Sequence, residues 1–238
     1  MKKCFALLAL LVVQAAHVFA QDTDGPSKQS EITKPSRDFV MLQFTYNNWA
    51  QKPDSIKNGG FGRGFNGYVC YDFPLGGKKK TNFSFAAGIG ISTANIYFDN
   101  QQINFTDTGT KGQQVSFSQE SKAYSKYKIT TAYLTAPFEL RYFGNKTNRN
   151  KGFKAAIGMT VGTLVGAHTK GVYKVEGSKV ADKVNTKRYI SPWTFAGTAR
   201  IGWGNFSVFG SYNFTQMFKE DQGPAVTPYS VGLCITGL

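Results

Sequence analysis

The sequence predicts an all-β fold: an eight-stranded antiparallel up-and-down transmembrane β-barrel with long extracellular loops and short periplasmic turns. Two patterns predict it, because apolar residues alternate with small or polar ones along eight segments, and long and short connections alternate between those segments. Composition agrees, since aromatic residues make up 15% of the chain and charged residues only 18%, a balance typical of strands.

The first residues have the pattern of a secretory signal peptide. Two lysines precede an apolar run, and the small-residue pattern Val18-Phe19-Ala20 predicts cleavage that removes residues 1–20. The apolar run is too short to cross a membrane comfortably as a helix. Residues 21–38 are polar, without periodicity, and predict a disordered periplasmic leader before a barrel over residues 39–238.

Eight segments alternate with the period of strands that have unlike faces. Large apolar residues such as Ile157 and Met159 are separated by small ones such as Gly158. Small side chains fit the inside of a narrow barrel, so the apolar face must point outward, where only lipid tolerates it. A soluble barrel would instead carry charges on its outer face. The segments cover residues 40–47, 65–73, 83–91, 134–142, 153–161, 193–203, 206–214 and 229–235.

The connections have the layout of an outer-membrane barrel, in which long loops face outward and short turns face the periplasm. With an even number of strands, both termini lie at the end with the short turns. Long connections are predicted over residues 50–64, 99–128, 174–187 and 216–228, and short ones over residues 74–82, 144–151 and 204–205.

Aromatic residues are expected at both rims, where amphipathic rings meet lipid headgroups. The outer rim is predicted to include Tyr46, Trp49, Tyr97, Trp193 and Phe214. The periplasmic rim is predicted to include Phe73, Tyr142, Phe153, Trp203 and Phe206.

The fourth predicted strand carries a family resemblance. Its sequence Tyr133-Leu-Thr-Ala-Pro-Phe-Glu-Leu-Arg-Tyr142 resembles the PorT-like and OmpX-like small outer-membrane β-barrels of Gram-negative, Bacteroidota-type bacteria, whose strand there runs leucine, a short gap, proline and alternating apolar residues. The resemblance extends over residues 39–238 and implies an eight-stranded barrel in the cell outer membrane. It implies little about activity, since the family includes porin-like, adhesive and secretion-associated proteins.

Few charged residues fall on the inward phase of the predicted strands, and all of them lie near periplasmic turns. Buried charges persist only when paired, so we predict an ion-pair cluster that closes the lower lumen, the alternative being a wet rim with loose pairing. A catalytic carboxylate pair is disfavoured, because a general acid must be protonated and nearby cations favour the charged form. The predicted cluster consists of Asp72, Glu139, Arg141, Lys154 and Arg200.

The formal net charge of +14 favours phosphate-bearing partners. No nucleic-acid partner is expected, because an exported protein rarely meets one. Membrane lipid and lipopolysaccharide are the expected partners, with solvated loop lysines as the alternative. The loop lysines predicted to face lipopolysaccharide are Lys122, Lys126, Lys128, Lys174, Lys179 and Lys183.

No catalytic, cofactor-binding or metal site is predicted. His168 is predicted to point inward near the outer end of the fifth strand, and Ser178 and Asp182 would complete a catalytic group only by coincidence. Cys70 and Cys234 are expected on strands separated by a third one, which predicts free thiols and no recognisable set of metal ligands.

The function that these observations favour is non-enzymatic: an outer-membrane barrel with a structural, surface-interaction or assembly and secretion-accessory role. The predicted loop over residues 99–128 is the best candidate for contact with a protein partner. A small porin-like channel is a second possibility, although eight strands leave an interior that side chains just fill. An outer-membrane lipid-modifying enzyme around His168 is the third.

Overall fold

The computed structural model describes residues 39–76, 81–106, 114–146 and 148–237. The predicted signal peptide and leader lie outside these described residues. Within the described part of the chain, no helix is long and apolar enough to cross a membrane.

The regular elements of the described residues are β-strands, which we number along the chain. They are β1 (Val40–Ala50), β2 (Arg63–Pro74), β3 (Phe83–Phe98), β4 (Gln101–Phe105), β5 (Val115–Gln119), β6 (Lys126–Phe143), β7 (Phe153–Val175), β8 (Ser178–Asn185), β9 (Trp193–Trp203), β10 (Phe206–Asn213) and β11 (Thr227–Thr236).

Eight of these strands form a closed antiparallel barrel, which confirms the predicted fold. They pair in the order β1, β2, β3, β6, β7, β9, β10 and β11, and β11 pairs back with β1. Closure gives each barrel strand two hydrogen-bonded neighbours, which is the condition for a sheet to cross a bilayer.

The barrel wall has an apolar outer face and a small, polar inner face. Ile157, Trp203 and Leu233 on the outer face are 65%, 70% and 61% exposed, whereas Ser84 and Thr135 on the inner face are buried. This is the reverse of a soluble protein, and lipid is the surrounding that stabilises it.

The outer end of the barrel contains more strand than the periodicity predicts. β4 pairs with β5 as a hairpin inside the predicted loop over residues 99–128, and β7 turns back through Glu176 and Gly177 into β8. Both turn residues have positive φ, 47° and 82°, as in tight two-residue hairpins. The predicted loop over residues 174–187 is therefore a hairpin. The sequence does not predict its strands, because this segment is rich in lysine and lacks the apolar alternation of a lipid-facing strand.

An apolar core fills the outer end of the lumen. The Trp49 ring lies 5.4 Å from Phe98, 6.2 Å from Phe117 of β5 and 5.9 Å from Phe218 of the loop before β11, measured between ring centroids. The prediction that Trp49 contacts lipid headgroups is wrong, since this side chain is 3% exposed and points inward. We call this core the outer cap; it consists of Trp49, Ile56, Ile96, Phe98, Ile103, Val115, Tyr127, Ile129, Ala167, Tyr189, Ile190, Met217, Phe218 and Val226.

A glycine lets neighbouring strands approach closely on the inner face. A Cβ atom at Gly158 of β7 would overlap the carbonyl oxygen of Phe138 on β6 and lie 2.9 Å from the Cα atom of Glu139. Since no side chain fits there, the spacing of these two strands depends on the glycine.

Replacing this glycine should destabilise the barrel. We expect Gly158→Ala to lower the free energy of unfolding by about 1–3 kcal/mol, because the methyl group forces the strands apart. The measurement is urea unfolding in lipid vesicles. Gly210→Ala on β10 is the control, since its Cβ would meet nothing within 4 Å. Equal losses in the two variants would contradict the close-approach explanation.

Candidate functional site

Inward-pointing charges meet at the periplasmic end of the barrel. Glu139 and Arg141 lie two residues apart on β6, so both side chains enter the lumen, and Arg141 Nε donates to Glu139 Oε2 at 2.8 Å. Arg200 of β9 donates to the same oxygen through Nη2 at 3.1 Å and Nε at 3.3 Å. Guanidinium groups from two strands therefore hold one buried carboxylate.

Asp72 of β2 supplies the second carboxylate. Its Oδ1 atom lies 3.5 Å from Arg141 Nη1 and accepts a hydrogen bond of 2.8 Å from the hydroxyl of Ser84. Its other oxygen pairs with Arg149 of the turn between β6 and β7. Arg141 thus bridges the two carboxylates. We call Asp72, Glu139, Arg141, Arg149 and Arg200 the floor cluster.

Lys154, the fifth residue predicted for this cluster, lies beside it on β7 and is buried. Its amine donates to Asn150 Oδ1 and Thr236 Oγ1, both at 3.4 Å, and lies 5.6 Å from the centroid of the Phe143 ring. Its contacts include an amide, a hydroxyl and an aromatic ring.

Arg149 is the member of the floor cluster that the strand periodicity does not predict. It belongs to the predicted short turn over residues 144–151, where solvent exposure is the normal expectation. The side chain is buried, and its guanidinium lies 4.8 Å from the centroid of the Phe143 ring. Periodicity does not extend into turns, so no sequence pattern marks this inward orientation.

The lumen is filled differently at its two ends. The outer cap occupies the outer end and the floor cluster the periplasmic end, with a chamber of about 120 Å³ between them. Hydroxyl and amide side chains such as Gln43, Ser92 and Thr135 line this chamber. Such a wall suits water and small polar groups.

A second cluster, of lysines, lies on the outside of the sheet. Cross-strand pairing places Lys128 of β6 opposite Lys170 of β7, and Lys170 opposite Lys183 of β8. Lys174 likewise lies opposite Lys179. We call this surface the lysine face; it consists of Lys126, Lys128, Lys170, Lys174, Lys179 and Lys183, of which all but Lys170 belong to the predicted set.

A β-bulge turns these β7 residues outward. Ala132 pairs with Gly166 and Tyr133 pairs with Leu164, so Val165 is the extra residue on β7. Beyond it Ala167 and Thr169 point inward and are buried, which reverses the phase of β7.

The bulge overturns the predicted orientation of His168. Because Ala167 and Thr169 take the inward positions, His168 points outward. It pairs with Asn185, whereas Asp182 pairs with Gly171 on the opposite face of the hairpin. The structure therefore does not bring His168 and Asp182 together as a catalytic group.

Lys122, the sixth predicted lysine, lies apart from the lysine face. Its amine donates to Asp182 Oδ2 at 2.7 Å and to the hydroxyl of Tyr173 at 3.1 Å. The hydrogen bond between Lys122 and Asp182 lowers the pKa of Asp182 and raises the pKa of Lys122. Tyr124 also donates to Asp182, at 3.3 Å. We call Lys122, Tyr124, Tyr173 and Asp182 the hairpin clasp.

The cysteines lie inside the barrel. Cys70 on β2 and Cys234 on β11 are buried free thiols, and β1 lies between their strands. In the described part of the chain, no group of three or more histidine, cysteine or acidic residues could hold a metal ion.

A closed barrel with an apolar exterior and paired charges inside defines the class of this protein as an integral membrane β-barrel. The chain belongs to the family described as outer membrane protein beta-barrel domain, whose model matches residues 19–219. The protein is therefore located in the outer membrane, and its apolar outer face contacts membrane lipid.

Solved structures provide more distant similarities. Yersinia pestis outer membrane protein Ail, in a phospholipid bilayer nanodisc, is 16% identical, with 83% of this chain and 97% of that chain covered and a TM-score of 0.32. A triple mutant of Rhodopseudomonas blastica porin is 8% identical, with 83% and 98% covered and a TM-score of 0.20. No curated protein matches the chain.

Loss of a carboxylate from the floor cluster should destabilise the barrel. We expect Glu139→Gln to lower the free energy of unfolding by about 3–5 kcal/mol, because two buried guanidinium groups lose their shared counter-ion. Urea unfolding in lipid vesicles measures the change. Asp182→Asn, which removes an exposed carboxylate, is the control and should have little effect. An unchanged unfolding curve for Glu139→Gln would contradict the ion-pair interpretation.

Proposed function

We propose that this protein is a non-enzymatic surface-interaction barrel that binds a protein partner outside the membrane by strand addition to β8. One observation carries the proposal: β8 pairs with β7 along one edge, and its other edge has no paired strand among the described residues. Such an edge offers N–H and C=O groups to an extended segment of another chain.

The hairpin clasp prepares this edge for binding. By joining Lys122 and Tyr124 to Asp182, it ties β8 to the segment before β6. A methyl group at Gly171 of β7 would collide with the Tyr124 ring, so the hairpin and this segment are closely packed. An ordered edge loses less conformational entropy on binding than a mobile loop does.

Charge indicates what kind of segment fits. The turn at Glu176 and Gly177 makes Val175 and Ser178 the closing pair, which is hydrogen-bonded in two-residue hairpins. Hydrogen-bonded pairs alternate along the strands, so Lys179, Ala181 and Lys183 direct their backbone groups to the open edge. An acidic extended segment complements this edge. If the partner belongs to a secretion apparatus, this binding gives the protein an assembly or secretion-accessory role.

Lipopolysaccharide is a second proposed partner, through the lysine face. Like charges directly opposite each other across strands destabilise a sheet, as with Lys128, Lys170 and Lys183. Phosphate groups would relieve this repulsion. A narrower kinship with PorT-like and OmpX-like barrels is also proposed, and the sequence of residues 133–142 supports it.

The remaining two functions have less support. A porin-like channel requires a continuous water path, whereas the floor cluster and the outer cap occupy the two ends of the lumen. A lipid-modifying enzyme requires a partner for His168, and Asp182 lies on the other face of the hairpin.

Strand addition to β8 can be tested with a substitution at its open edge. We expect Ala181→Pro to abolish co-purification of the surface partner from native membranes, because proline removes an N–H from that edge. Ala181→Val keeps the N–H and should retain the partner. Quantitative mass spectrometry of the two preparations measures the difference, and the same proteins at equal yield in both would contradict strand addition.

The filled ends of the lumen predict that the barrel does not conduct ions. We expect the refolded barrel to give no steady single-channel openings in a planar bilayer, because side chains fill both ends of the lumen. Heat-dependent migration in gels would establish that the inserted protein is folded. Steady ion-selective openings would contradict the proposal and favour the porin-like function.

A further inference from the structure

A groove lies at the outer end of the barrel beside the lysine face. It has a volume of about 240 Å³ and is formed by the loop after β1 and the outer ends of β3 and β6. We call it the outer groove, and the lining side chains that matter here are Phe61, Arg63, Tyr97, Asp99 and Lys126.

Two glycines fix the shape of the outer groove. Gly60 has a positive φ of 66°, and a Cβ atom at Gly59 would lie 2.9 Å from the backbone nitrogen of Asp99. The Gly59 N–H donates to the carbonyl oxygen of Tyr97 at 2.9 Å. The loop therefore lies directly on β3, and the groove is formed before any ligand binds.

The walls combine aromatic rings with cations. Phe61 is 62% exposed, and its ring centroid lies 4.8 Å from that of Tyr46. Tyr97 pairs with Lys128 across β3 and β6, and the Lys128 amine lies 5.8 Å from the Tyr97 ring centroid. Rings at this level of an outer-membrane barrel lie among lipid headgroups.

The cations of the outer groove extend the lysine face around the barrel. Lys126 belongs to both surfaces, and Arg63 extends the positive charge to β2. The Asn95 amide on β3 links these strands, because it accepts a hydrogen bond of 2.6 Å from Lys128 and donates one of 2.8 Å to the carbonyl oxygen of Arg63. Asp99 is the one acidic side chain that lines the groove in the described residues.

We propose that the outer groove is a discrete site for the phosphorylated headgroup of an outer-leaflet glycolipid. Arg63 and Lys126 contact a phosphate, for which a guanidinium fork offers paired donors. Phe61 and Tyr97 pack against the sugar. Lys128, whose amine lies 5.8 Å from the Tyr97 ring centroid, contacts a second phosphate. The inference rests on the proposed association with lipopolysaccharide and assigns it a site.

The test compares two double variants, each of which removes two positive charges. Lipopolysaccharide is titrated into labelled, folded protein in a zwitterionic detergent, and dissociation constants are measured. We expect Arg63→Gln with Lys126→Gln to weaken binding about thirtyfold, as the loss of two cations at one headgroup would. Lys174→Gln with Lys179→Gln, at the hairpin end of the lysine face, should weaken it less than about threefold. Circular dichroism establishes that each variant is folded.

Other probes identify what the groove recognises. Dephosphorylated lipopolysaccharide should bind the wild-type protein as weakly as the groove variant binds the intact lipid. Phe61→Ala should weaken binding about fivefold without a change in charge, because a ring contact is lost. Millimolar inorganic phosphate should leave the complex intact; displacement would show a site for free phosphate and overturn the headgroup assignment.

The outcomes separate this inference from the proposal on which it rests. Equal weakening by the two double variants would overturn the discrete site and leave diffuse attraction by the lysine face. If the wild-type protein bound dephosphorylated and intact lipopolysaccharide equally well, phosphate recognition would be overturned. Absence of binding to the wild-type protein would overturn both the site and the proposed lipopolysaccharide association.

Discussion

Hydrogen-bonded closure between β11 and β1 is the constraint on which the rest of the structure depends. Inside a bilayer no water satisfies an open strand edge, so the sheet must close on itself. Closing with eight strands leaves a narrow interior, which small residues such as Gly158 accommodate. The apolar residues are thereby directed to the lipid, and any charge that points inward requires a partner within a few ångströms.

The two ends of the barrel are filled by different interactions for a physical reason. The hydrophobic effect drives apolar side chains together only where water surrounds them. The loops of the outer cap lie beyond the bilayer, where water is present. At the periplasmic end, the filling groups are ion pairs between strands that are not neighbours. Glu139 on β6 reaches Arg200 on β9 across β7, and Arg141 reaches Asp72 on β2 across β3. These directional contacts join separate parts of the wall.

The sequence predicts the barrel well because lipid and a narrow lumen impose opposite requirements on alternate residues. The same logic identifies inward charges, and ion pairs join Asp72, Glu139, Arg141 and Arg200 in the structure. Arg149 lies in a turn, whose path no periodicity describes. Trp49 could have been placed correctly, since it shares the inward phase of Asn47 and Thr45 on β1. The rim prediction followed residue type and ignored phase.

The β6–β7 bulge shows how one residue decides what the outside of the barrel presents. Strict alternation along β7 would direct His168, Lys170 and Lys174 toward the apolar outer cap, where burying a charged group is costly. The extra residue Val165 moves them to the outer surface, beside Lys128 and Lys183. Like charges then lie opposite one another, at a cost that the sheet alone does not recover. The proposed lipopolysaccharide partner would recover this cost, so the proposed association depends on an irregularity that the sequence does not reveal.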